Sequence, residues 1–123
     1  MKLSVLLAAS LALSGCGLLV SERDASVESV SFPSTVSVNE ALPVTIVAAH
    51  GPDACSHFNR IEAARTSSRL VLRAVTQVTR FGACAQYAGP TSKIHTDPAT
   101  PARTSPFEIV VNGKSYGFVT VTN

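Results

Sequence analysis

The sequence predicts an all-β fold, an antiparallel sandwich of about seven short strands, and three observations carry that expectation. Short runs rich in Val, Ile, Thr and Phe recur along the chain, separated by clusters of Gly, Pro, Asn, Asp and Ser. Asn112-Gly113 sits between two alternating runs near the C-terminus, a strong short-range hairpin signal. Of 123 residues, 108 remain once a leader over residues 1–15 is set aside, which is enough for one two-layer core and too few for a second domain.

The leader differs in kind from the remainder of the chain. Lys2 gives a positive start, Leu3 to Leu13 an apolar stretch, and Ser14-Gly15 two small residues before Cys16. A membrane-spanning helix needs about 20 apolar residues. This run is broken by Ser10, Ser14, Gly15 and Gly17 and then meets Glu22, Arg23 and Asp24. Leu13-Ser14-Gly15-Cys16 closely resembles the signal of bacterial lipoproteins. That resemblance implies export, a cleaved signal-peptide helix over 1–15, diacylation of the Cys16 thiol and acylation of the new amino group. It places the protein in the cell envelope, lipid-anchored to a membrane and facing periplasm or exterior. Gly17 in place of Asp after Cys16 implies, by the same resemblance, an outer membrane where the cell has two.

Residues 16–25 read as the lipidated cysteine and a flexible tether, because Gly17 to Ala25 shows no hydrophobic periodicity. About ten residues at 3.3–3.6 Å each reach at most roughly 35 Å. The domain spans 26–123. Val27, Val30 and Phe32 before Pro33, with Val36 and Val38 after it, read as an edge strand interrupted by proline and resumed. Pro43 to His50 is β-branched and nearly continuous, as expected of a strand central in its sheet, and Gly51-Pro52-Asp53 ends it in a turn. Phe58 to Arg65 contains helix formers but is short and leads through Thr66-Ser67-Ser68 into the β-branched run Leu70 to Thr79, so the pair reads as a long hairpin. Phe81 to Pro90 reads as a loop holding Cys84, Thr91 to Thr96 as a strand, and Asp97 to Pro106, with its three prolines, as irregular. A two-residue turn at Asn112-Gly113 would pair Val111 with Lys114, Ile109 with Tyr116 and Phe107 with Phe118 on one core-facing side.

About seven such strands point to an immunoglobulin-like arrangement. The chain resembles small bacterial lipoproteins carrying one such domain, on four features. These are the Cys16 box, the stretch Phe32-Pro33-Ser34-Thr35-Val36-Ser37-Val38-Asn39-Glu40, the two later cysteines, and Val110-Val111-Asn112-Gly113-Lys114-Ser115. It departs from antibody-type domains in having no Trp and in placing Cys55 and Cys84 in predicted loops.

With Cys16 acylated, Cys55 and Cys84 remain as an even pair in an exported protein and are expected to form a disulfide. Closing a loop of that length contributes about 3.5 kcal/mol through the unfolded chain. Two free buried thiols, or one reactive thiol, are the competing readings. The formal charge of +2 loses one unit with Lys2, which leaves no electrostatic footprint for nucleic acid.

Three groups of residues are candidates for function. Asp53, Cys55 and His57, with His50 nearby, form the one cluster with a reactive look, but a disulfide at Cys55 removes both a thiolate nucleophile and a thiolate metal ligand. Arg60, Arg65, Arg69, Arg73 and Arg80 lie along the predicted hairpin; strand alternation sends Arg69 and Arg73 one way and Arg80 the other. Those sharing a face would form an interaction surface for phosphate, acidic glycan or an acidic partner. Glu62 and Glu108 have no partner acid at a spacing suited to acid-base catalysis, and Tyr87 and Tyr116 read as packing residues. No catalytic residue, metal or cofactor is assigned. The expected function is non-enzymatic, a lipid-anchored sandwich that binds or structurally engages an envelope protein or glycan. Alternatives are a protease-inhibitor or chaperone-like module acting by edge-strand pairing, and a small-ligand or metal binder around Asp53 and His57.

Overall fold

The computed structural model describes residues 19–49, 53–80, 82–86 and 89–123. The leader, Cys16, His50 and its turn at Gly51-Pro52, and Tyr87 lie outside the described residues, as does the side chain of Arg80. Nine strands are described: β1 Leu19–Asp24, β2 Ser26–Ser31, β3 Thr35–Ser37, β4 Leu42–Ala49, β5 Ser56–Arg65, β6 Arg69–Arg80, β7 Thr91–Asp97, β8 Phe107–Val111 and β9 Lys114–Thr122. They form two sheets, a six-stranded one ordered β1-β6-β8-β9-β3 with β5 also on β6, and a three-stranded one ordered β2-β4-β7. The protein is an all-β sandwich.

The core follows from period-two burial. Leu42, Val44, Ile46 and Ala48 of β4 face Leu70, Leu72 and Ala74 of β6 and Phe107, Ile109 and Val111 of β8, all essentially excluded from solvent. β4 is central in its sheet, as its near-continuous β-branched run predicts. The stretch with helix formers is strand β5, because pairing along Ser56 to Arg65 with β6 overrides local helix propensity. Pro33 marks a change of sheet: β2 pairs with β4, whereas β3 runs parallel to β9.

Two expectations are corrected. The segment read as flexible tether is β1, paired antiparallel with β6 from Leu19↔Arg80 to Asp24↔Val75. It lacks apolar periodicity because Val20 to Asp24 are all exposed; the free edge of β6 and ion pairs from elsewhere hold it. The C-terminal hairpin turns at Asn112 (φ 48°) and Gly113 (φ 78°), and Val111 does pair with Lys114. Beyond that, Tyr116 is an extra residue, so Ile109 faces Gly117 and Phe107 faces Val119. Gly117 adopts φ 130°, which side chains on L-residues rarely permit, and this bulge turns Phe118 to solvent while Val119 enters the core.

The same Asn112 solves a problem of sheet topology. One edge of β6 carries β8 over Arg69 to Leu72 and β1 over Val75 to Arg80, leaving a gap between them. Asn112 fills it: its N–H donates to Leu72 O (2.9 Å), its Oδ1 accepts from Ala74 N (2.8 Å), and its Nδ2 donates to Ala25 O (3.0 Å) and Ala74 O (3.3 Å).

Candidate functional site

At one end of the sandwich Cys55 and Cys84 form a disulfide with Cα atoms 5.3 Å apart. Ala54 N donates to Ala85 O, Asp53 bridges to Gln86, and Asp53 Oδ1 accepts from Cys55 N at 3.0 Å. One ligand atom from each of Asp53, Cys55 and Cys84 lies within 4.8 Å of the others, but both sulfurs are spent on each other and Asp53 caps its own turn. The thiolate ligand that a metal centre at Asp53, Cys55 and His57 would draw on is thus spent in the disulfide. His57 is exposed on β5, opposite Gln77.

The arginine series divides. Arg60, Arg69 and Arg73 reach carboxylates at the solvent side of the six-stranded sheet. Arg60 forms a two-pronged bond to Glu22 (2.5 and 2.7 Å) and contacts Glu62; Arg73 bonds Asp24 at 2.7 Å and also approaches Glu62; Arg69 meets Glu108 at 3.1 Å. The Arg60 fork holds the Glu22 carboxyl below the usual carboxylate range, and the same side chain does so to Glu62, with Arg73 adding to it. These contacts in turn push Arg60 and Arg73 up. Around β1 the result is a ladder of three carboxylates and two guanidiniums, with positive charge internally compensated.

Arg65 takes another direction. It enters the opposite end of the sandwich, where its Nε donates to Asp97 Oδ2 at 3.0 Å. Arg103 binds the same oxygen through Nε at 2.9 Å and spends its other donors on the carbonyls of Glu40, Asp97 and Pro98. Both guanidiniums lie over the Phe107 ring, at 5.5 and 5.7 Å from its centre. Arg65 Nη1 and Nη2 are buried without a hydrogen-bond partner. The sequence reading missed Arg103 and Asp97, which bracket a proline-rich connection. The available signal was β7 itself, whose period places Lys93, His95 and Asp97 inward and leaves Ile94, on the other face, 64% exposed.

Every described sheet edge is blunted. β3 has three residues, β2 and β5 carry irregularities at Glu28 and Asn59, β1 carries three consecutive charges, and β7 turns polar side chains inward.

No protein-family model, no curated protein and no solved structure matches this chain.

Proposed function

We propose that the chain is a non-enzymatic lipoprotein of the cell envelope, held to a membrane through acylated Cys16, that offers a rigid β-sandwich to an envelope protein or glycan. The division of the cysteines carries this reading. Cys55 and Cys84 are joined, which suits an oxidising compartment, and the remaining cysteine of the three stands at the end of Leu13-Ser14-Gly15-Cys16. The two sulfurs are spent on each other and the outer arginines Arg60, Arg69 and Arg73 are paired with carboxylates, which supports a binding role over turnover. Blunted edges speak for recognition through a face or an end and against edge-strand pairing to a protease or an unfolded chain.

The sandwich is, in this reading, immunoglobulin-like. β2, β4 and β7 stand together in one sheet and β5, β8 and β9 in the other, as first, second, fifth and third, sixth, seventh strands do in such domains. The chain departs from that plan by interposing β6 between β5 and β8, with β6 and β8 parallel.

Intact-mass measurement on material extracted from membranes tests the anchor: the polypeptide is expected to begin at Cys16 and bear acyl chains, and one still starting at Met1 or lacking fatty chains overturns the proposal. In-cell crosslinking tests the binding role; failure to capture any partner reproducibly counts against it. Turnover by the purified domain that is lost on changing His57 or Glu62 would refute the non-enzymatic assignment.

A further inference from the structure

We propose that the disulfide end of the sandwich is a membrane-facing surface, seated against the lipid headgroups, with the Arg65–Asp97–Arg103 end held outward. This rests on acylation of Cys16. Only Gly17 and Leu18 separate Cys16 from Leu19, the first residue of β1. Three Cα steps span at most about 11 Å, so the bilayer is within that distance of the point where Leu19 pairs with Arg80. This slack is far less than a tether through Ala25 would allow.

The strand order then sets direction. β1 runs antiparallel to β6, so the end of β6 beside the anchor is its C-terminal one, where Thr79 N bonds Cys55 O at 2.8 Å and the disulfide closes the loops. β6 has 12 residues, which at about 3.3 Å each separates its two ends by roughly 36 Å. Ser67, beside the opposite end, is bonded through its carbonyl to Thr104 N.

The chemistry of the anchor end suits headgroups. Its exposed described residues Ala54, Gly82, Ala83, Ala85 and Gln86 are uncharged, Val20, opposite Thr79 on β6, is 45% exposed, and Asp53 Oδ1 accepts from Cys55 N. The sheet face carrying Glu22, Asp24 and Glu62 has one more carboxylate than guanidinium in its ladder, so anionic lipid disfavours laying that face on the bilayer. Arg60 and Arg73 pin β1, keeping the short connection short.

The chain has no Trp, so single tryptophans report position cleanly. Lipidated protein carrying Ala85→Trp or Ser67→Trp is reconstituted into phosphatidylethanolamine–phosphatidylglycerol vesicles containing brominated lipid. The expected result is a blue shift and strong quenching at residue 85, neither at residue 67, and neither for Ala85→Trp on a Cys16→Ser chain from which residues 1–15 have been removed. Equal quenching at both positions, or none at residue 85 while mass confirms acyl chains, overturns the orientation and leaves the anchor standing. An absence of acyl chains by mass overturns the anchor itself. A blue shift at residue 85 that persists on the Cys16→Ser chain reflects the tryptophan's own affinity for the interface and also counts against the orientation.

Discussion

Replacing Asn112 by Gly tests the claim that one side chain closes the seam on β6. Glycine tolerates the positive φ of the turn, so the hairpin keeps its geometry and only the side-chain bonds vanish. Ala74 O retains Ala25 N at 2.8 Å, but Ala74 N loses its acceptor at a partly buried site. Leaving such a donor unmet costs about 1–3 kcal/mol, and loss of the bond to Ala25 O adds some tenths more, so about 2 kcal/mol in total is expected. For a domain near 100 residues that lowers Tm by roughly 10 °C. Asn112→Asp is the sharper variant. It keeps the acceptor for Ala74 N but sets a carboxylate oxygen against Ala25 O and Ala74 O, where Nδ2 donated. The folded state then favours the protonated acid, so the deficit is largest at neutral pH and shrinks as pH falls and the carboxyl regains a donor. Urea unfolding followed by circular dichroism on exported Cys16→Ser protein reads both. A Gly variant within about 0.5 kcal/mol of the parent, below what one lost bond at a buried seam costs, or an Asp variant indifferent to pH, would refute the seam.

Three further outcomes follow from the charges and the bridge. Asp97→Ala leaves two buried guanidiniums without their shared carboxylate and is expected to lose about 3–5 kcal/mol in the same urea assay, whereas Arg65→Met, which gives up the Nε bond to Asp97 together with two unpartnered Nη groups and leaves Asp97 paired with Arg103, is expected to lose clearly less. Replacing Cys55 and Cys84 together by Ser is expected to cost about 3.5 kcal/mol, read as a lowered urea midpoint with m little changed if the unfolded chain carries the effect. Because Arg60 depresses the folded pKa of Glu22 and Glu62, their contribution to docking of β1 is present above the unfolded carboxylate pKa and lost as pH falls through the folded one. Amide exchange in β1 should quicken on acidification, and Glu22→Gln should flatten that dependence.

Local pattern was readable wherever a strand buries a face of its own. β4, the β5–β6 hairpin and the turn at Asn112 all announce themselves through β-branched runs and a residue pair suited to positive φ. The misses share a physical cause, namely stabilisation supplied from far along the chain. β1 has no buried alternation, and its ion partners Arg60 and Arg73 lie 38 and 49 residues away. Arg103 is buried because carbonyls of Glu40, Asp97 and Pro98 converge on it, which proline spacing does not encode. The hairpin register failed for a different reason: a period of two predicts faces only until a bulge inserts a residue, and Gly117 is the one hint that the backbone bends there.

β6 is the element through which these distant dependencies meet. Along one edge it pairs with β5; along the other it must serve β8 for its first part and β1 for its last. Such a strand is fully paired only if the change of partner is bridged, and Asn112 bridges it while also belonging to the turn that ends β8. Its Nδ2 bond to Ala25 O reaches the residue between β1 and β2, so the hairpin, the hub strand and the anchor-proximal strand share one residue. Loosening the hairpin therefore weakens the hold on β1 through Asn112 and Ala25. In the proposed orientation this has a mechanical meaning. β1 is the element that takes the load from acylated Cys16, and it is joined to the rest of the sheet by backbone pairing with β6, by exposed ion pairs, and by Asn112. Of these, the ion pairs are screened by salt, whereas the backbone pairing with β6 and the bonds of Asn112 are not.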